Sequence, residues 1–313
     1  MIAYVLRRIA SLVVVMALVA MAVFLLLRLA PGDPTAIIAG DNATPVQIAS
    51  VRARLGLDDP LPQQFYRWAT ALLSGDLGVS IFSNTPVAEL IGQRIEPTLS
   101  LAFATLLFAV PVAVLLGILA AWSAGGVADR LAMAISVAGF SLPGFVVGYF
   151  LVYVFAIRLK WLPVQGYTPI SQDVASWASH LILPALTLGL AFIALIARMT
   201  RTALLDVLAE DYIRTANAKG VSTLSLLLKH ALRNAGVPIV TILGIGAAML
   251  IGGVVVTETV FNIPGIGRLV VDAILKRDYP IIQGVILVAS GVYVVINLLV
   301  DLSYTLIDPR IRS

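Results

Sequence analysis

Six stretches of this sequence run for 19 to 32 residues without an aspartate, glutamate, lysine or arginine: 9–27, 97–128, 131–157, 174–197, 234–257 and 279–300. About 20 apolar residues in a helix cross the ~30 Å hydrocarbon layer of a bilayer. In lipid the backbone must satisfy its own N–H and C=O groups, which leaves helices or closed barrels. None of the six alternates as a barrel strand does, so each predicts a helix. The run 221–228, with 8 residues, is too short to span. The expected fold class is all-α, a polytopic membrane bundle of six transmembrane helices.

Composition closes the alternatives. Apolar residues make up 60% of the chain and charged residues 12%, with a mean hydropathy of +0.99. Soluble domains carry about 25% charge, and disorder needs low hydrophobicity, so neither class fits. With no cysteine, disulfides, thiolate zinc sites and cysteine nucleophiles are absent. The first run follows Arg7 and Arg8 as a signal peptide would. It is longer than the usual apolar core of 7–15 residues, and Pro31-Gly32-Asp33-Pro34 follows instead of a small-residue cleavage site. It is expected to stay.

Lysine and arginine set the orientation. With the N-terminus inside, the inner segments hold eleven basic residues against five acidic ones, and the outer segments ten against eleven. Both termini are therefore expected on the cytoplasmic side. The net charge of +4 belongs to this asymmetry and gives no reason to expect a nucleic-acid partner.

The chain divides into a first span with its cytoplasmic N-terminus (1–30), an outer segment (31–96), a five-helix region (97–306) with an inner loop at about 205–234, and a tail (307–313). The outer segment predicts one helix from Thr44-Pro45 to near Gly56 and another from Pro62 to Ser74, stopped by Gly75. Phe65, Trp68, Leu72 and Leu73 fall on one side of the second. That face suits a cap on the bundle or a docking surface for an external partner.

Catalytic chemistry is missing. No G-x-x-x-x-G-K-[ST] phosphate loop occurs. Gly244, Ala248 and Gly252, like Gly144 and Gly148, recur at the spacing that lets helices approach closely. Ser141 has no base placed near it, since the only histidines are His180 and His230. The same two make a poor metal site. Neither catalysis nor a bound metal or cofactor is expected of this chain.

The inner loop reads Asp211-Tyr212-Ile213-Arg214-Thr215-Ala216-Asn217-Ala218-Lys219-Gly220, then Lys229-His230-Ala231-Leu232-Arg233-Asn234. Gly220 suits a left-handed helix stop and Ser222 the cap of a new helix. Two short helices meeting at a glycine turn are predicted, the second with Leu224, Leu227 and Leu228 on its apolar face. This loop resembles that of ABC-importer permeases, E-A-A-x₃-G-x₉-I-x-L-P. Ala216, Gly220 and Leu232 match; Arg214, Thr215, His230 and Arg233 replace Glu, Ala, Ile and Pro. The wording of dipeptide, oligopeptide and nickel permeases is far closer.

Further resemblances lie at Pro31-Gly32-Asp33-Pro34, Gly75-Asp76-Leu77-Gly78 with Ser80, 180–189, Phe261 to Gly267, Arg277-Asp278-Tyr279-Pro280 and Asp308-Pro309-Arg310. The resemblance implies a type I ABC-importer transmembrane fold in the inner membrane. Its implied partners are a second homologous permease, two ATPase subunits that hold ATP and Mg, and a periplasmic or lipid-anchored solute-binding protein. It implies that Asp211, Arg214, Ala216, Lys219, Gly220, His230 and Arg233 belong to a loop seated on one ATPase. Its solutes include peptides, glutathione, opines and nickel, with peptides foremost.

An ion-coupled carrier or channel is the rival. Carriers place ionisable residues at mid-membrane, whereas Asp301, just past the last run, is the only charge within a span. In that span Ser290, Tyr293, Asn297, Asp301 and Tyr304 form one helical stripe, suited to helix–helix hydrogen bonds or to a passage lining. Glu258, at the outer end of the fifth run, suits a contact with solute or binding protein, or a structural salt bridge.

Overall fold

The protein is described by a computed structural model covering residues 2–29, 44–46, 49, 52 and 58–307. The Pro31–Pro34 motif, most of the helix expected before Gly56, and the tail with Asp308-Pro309-Arg310 lie outside the described residues. Among the described residues the chain is helical, with a single isolated bridge between Val79 and Pro86. It divides into two compact units, Met1–Ile95 with Leu269–Val292, and Glu96–Arg268 with Tyr293–Ser313.

In the first unit, α1 (Ile2–Leu29) carries the first uncharged run and α2 (Leu61–Leu73) is the amphipathic helix. Phe24 of α1 is enclosed by Phe65 and Trp68 of α2, with ring centroids 5.1 and 5.5 Å away. Leu73 departs from the expected face and is 87% exposed. It sits one residue, or about 100°, past Leu72 and so off the stripe. Gly75 (φ +85°) ends the helix, as the sequence predicts. Beyond it, buried Asp278 accepts hydrogen bonds from the Ser80 hydroxyl (2.6 Å) and the Ile81 N–H (3.3 Å), fastening this turn to the segment before Tyr279.

Two long helices, α3 (Val87–Trp122) and α11 (Tyr279–Ile307), run through both units. The second unit otherwise contains α4 (Val127–Ser141), α5 (Gly144–Leu151) widening into a π-turn over Val152–Arg158, α6 (Val174–Leu208), α7 (Asp211–Ala218), α8 (Thr223–Asn234) and α9 (Gly236–Val260). A last helix, α10 (Ile266–Lys276), starts in this unit and ends in the first. At its centre α6 packs on α4, α5 and α9. Leu101, Leu183, Ile196 and Phe261 are enclosed around it, while Phe103, Leu107, Phe140 and Phe150 point outward. Apolar residues on the outside are what a lipid-solvated surface requires.

The third run is not one helix. α4 stops at Ser141 and the next piece leaves at 101°. Pro143 lacks an N–H and its ring disfavours αR in the residue before it; Leu142 is accordingly extended (φ −84°, ψ 130°). The second run ends early, at Trp122, and begins ten residues sooner than the uncharged stretch. The small-residue stripe holds in part. Gly244 meets Val300 and Gly148 meets Thr187 and Phe261, whereas nothing lies within 4 Å of a Cβ built at Gly144 or Gly252. Four residues turn a helix by about 400°, so such a stripe drifts around the axis. The residue that meets Leu188 is Gly253.

Candidate functional site

Four polar constellations stand out, and the first is the elbow between α7 and α8. Asp211 opens α7, and its carboxylate lies 3.4 Å from Arg214 Nη1, both side chains exposed. Such exposed pairs contribute little, typically about 0.2–1 kcal/mol. Ile213 alone is buried on α7. Lys219 ends the helix, Gly220 takes φ +83°, and the Val221 N–H returns to the Ala216 carbonyl (3.3 Å). Ser222 occupies the cap position of α8, yet its hydroxyl makes no capping bond; its carbonyl accepts from Leu226 N–H (2.9 Å).

The apolar face of α8 differs from expectation. Leu226, Leu227 and Ala231 are buried, while Leu224 and Leu228 are exposed. The cause is a π-turn over Leu226–Ala231, in which residues five apart pair and the 3.6-residue phase is lost. His230 is half-buried, and Lys229 and Arg233 are exposed.

The second constellation escaped sequence reasoning. Asp129, enclosed at the start of α4, receives a bidentate grip from Arg201 (Nε 2.5 Å, Nη2 2.7 Å) and an N–H from Gly125 (2.8 Å). Those bonds, the Arg201 one foremost, hold its carboxyl below the ordinary 3.8. The available signal was two opposite charges, each just beyond an uncharged run.

The third gathers around Glu258. Its side chain is fully buried, accepting from the Thr98 hydroxyl (2.6 Å) and the Arg268 N–H (2.9 Å). Thr98 in turn receives the Ile266 N–H (2.8 Å), and the Ile263 N–H bonds the Glu258 carbonyl (2.9 Å). A Cβ at Gly265 would overlap the carboxylate, and one at Gly267 would come within 2.9 Å. The Phe261–Gly267 motif is therefore a loop wrapped around one acid. Glu258 is enclosed by its own chain. Nearby, Tyr167 bonds Ser100 (3.0 Å) and Glu96 (3.1 Å), and burial raises its pKa.

The fourth is the stripe on α11. Ser290 is half-buried in the first unit; in the second, Tyr293 is exposed and Asn297 donates to the Tyr293 carbonyl (2.9 Å). Asp301 is half-buried, and the Tyr304 side chain lies outside the described residues. Among the described residues no cluster of three or more His, Cys, Asp or Glu could hold a metal.

Residues 113–313 match the family model described as binding-protein-dependent transport system inner membrane component, and residues 1–102 match the N-terminal model of the same systems. The chain belongs to this permease family. It is 59% identical over 309 residues to the probable peptide ABC transporter permease protein y4tP of Sinorhizobium fredii, covering 99% of each. It is also 46% identical over 312 residues to the glutathione transport system permease protein GsiC of Salmonella typhimurium, covering 100% of this chain and 99% of that one. Its fold is similar to inward-facing structures of the MetNI methionine ABC transporter. One matches with TM-score 0.54 and 19% identity over 70% of this chain and 96% of that one. The type I importer fold and the permease role stand, and the carrier or channel alternative is not favoured.

Proposed function

We propose that this permease subunit forms half of a membrane passage for peptides or a peptide-like solute such as glutathione, in an ATP-driven importer. The observation that carries the reading is the 59% identity, across essentially the whole of both chains, to a probable peptide permease. The 46% identity to a glutathione permease keeps that tripeptide within the same class.

A second permease would supply the other half of the passage. Two separate ATPases would hold ATP and Mg, and a binding protein would deliver solute to the side bearing residues 31–96. The α7–α8 elbow, with Asp211, Arg214, Ala216, Lys219, Gly220, His230 and Arg233, would seat on one ATPase; its exposed charges and its fixed glycine angle suit a groove. Ser290, Tyr293, Asn297 and Asp301 would line the passage, and both termini would be cytoplasmic.

The test is reconstitution. The isolated chain should hydrolyse no ATP. With its sister permease, ATPases and binding protein in proteoliposomes it should take up labelled trialanine or glutathione in an ATP-dependent manner. Robust hydrolysis by the isolated, contaminant-free chain, or a complete importer that accumulates neither probe, overturns the reading.

A further inference from the structure

Within the second unit a cleft of about 120 Å³ opens between α4 and α6, lined by Met133, Ser136, Phe140, Ser141, Ala194 and Arg198. That is small against the roughly 300–1,000 Å³ of a whole-ligand pocket. It has room for one end of a solute, such as a carboxylate and the atoms next to it.

Three independent features give the cleft a polarity. Arg198 lies just past the uncharged run of α6, exposed, and its guanidinium has no ion-pair or hydrogen-bond partner among the described residues. Arg201, one turn further along the same helix, is held by both oxygens of Asp129. The two arginines thus have different fates: one is neutralised, while the other presents an open fork beside a low-dielectric wall. There an unpaired cation attracts anions more strongly than it does in water, and its planar fork fits a carboxylate.

The second feature is the break at Leu142–Pro143, in the middle of the third uncharged run, which bends the span by 101°. Interrupted spans release backbone groups at membrane depth, and transporters turn such groups toward solute. The third is the pair of serines. Ser136 donates to the Ala132 carbonyl (2.8 Å) and Ser141 to the Val137 carbonyl (2.8 Å). Both serines line the cleft, and with their protons committed their oxygens keep only acceptor capacity, suited to N–H groups.

We infer that this cleft is a stopping point for the carboxylate end of a passing peptide, with Arg198 receiving the carboxylate and the Ser141 end of α4 accepting adjacent N–H groups. The inference rests on the peptide reading above and deepens it by naming the part of the solute that is gripped.

The chain has no cysteine, so a Ser141→Cys variant carries one thiol as a reporter. In the complete importer in proteoliposomes, its modification is timed with an anionic methanethiosulfonate (ethylsulfonate) and a cationic one (ethyltrimethylammonium). Arg198 should favour the anionic reagent by about tenfold in the ratio of rates. Arg198→Gln should bring the ratio close to unity, and Arg198→Lys should keep most of it. Millimolar trialanine should slow the anionic reagent, and trialanine amide should not.

A ratio indifferent to Arg198→Gln overturns the site, as does a thiol unreactive to both reagents in every nucleotide state, the result for a lipid-covered face. Uptake of trialanine by the unmodified importer is measured in parallel. If uptake stands and the ratio ignores Arg198, the site falls alone. If the ratio depends on Arg198 but neither trialanine nor glutathione is taken up, the peptide reading falls and the assignment to peptides with it.

Discussion

Replacing Glu258 tests whether one buried acid holds the Phe261–Gly267 loop in place. The carboxylate accepts two hydrogen bonds within its unit, from Thr98 Oγ1 at 2.6 Å and from the Arg268 N–H at 2.9 Å. Hydrogen bonds to a charged group contribute about 1.5–3 kcal/mol each. Glu258→Gln keeps one acceptor and turns an NH₂ toward a donor, so a loss of about 1.5–3 kcal/mol is expected. Glu258→Ala removes both bonds and leaves the Thr98 hydroxyl and the Arg268 N–H without this acceptor, for about 3–6 kcal/mol. The decisive variant is Gly265→Ala, whose Cβ would overlap the carboxylate. Alone it should destabilise strongly; in the Glu258→Ala background its added cost should fall by about 1 kcal/mol or more, because residues in contact are not additive. The assay is the thermal midpoint of the detergent-solubilised importer, followed by fluorescence-detected size exclusion. If Glu258→Ala leaves the midpoint unchanged, or if the Gly265→Ala penalty is the same in both backgrounds, the account of this loop is wrong.

Three further outcomes are expected. Gly220→Val should insert normally yet weaken ATPase retention and uptake, at a strain of about 1–3 kcal/mol; nothing lies within 4 Å of a Cβ there, so Gly220→Asn, which tolerates positive φ, should be milder, and near-normal uptake by Gly220→Val would remove the elbow from the mechanism. Because the native carboxyl of Asp129 is held below 3.8, its contribution is complete above that value and is lost as pH falls through the depressed native pKa. Thermal midpoints of wild type and Asp129→Asn should therefore differ at pH 7 and converge in acid, and a constant gap would contradict the assignment. In intact cells an impermeant thiol reagent should label Leu73→Cys and spare Ala124→Cys, and the opposite pattern would reverse the orientation.

The spans were legible because lipid leaves a backbone little choice, and an uncharged run of sufficient length reads directly as helix. The break at Pro143 was less so. Pro111 and Pro184 also fall within uncharged runs, yet they remain inside α3 and α6; hydropathy does not distinguish a tolerated proline from a breaking one, since tertiary partners decide where freed carbonyls go. The elbow was readable at Gly220 because a positive φ selects glycine locally. Its buried face was not, since the π-turn at Leu226–Ala231 changes the phase without an obvious residue signature. Glu258 was visible as a charge at a run's end, but its partner Thr98 stands 160 residues away in sequence. Asp129 and Arg201 are separated by 72 residues in the same fashion.

The π-turn in α8 also constrains how this chain can change over evolutionary time. A wide turn accommodates an extra residue that a regular α-turn would not hold. Deleting one residue between Leu226 and Ala231 could restore regular winding locally, yet everything on one side would rotate by about 100° against the other. Ile213 and Leu226 would then lose phase with Ala235 and Ile239, which are buried farther along. Insertions and deletions here are thus expected to be purged even where substitutions are accepted, leaving a segment whose residue count is under firmer selection than its lettering.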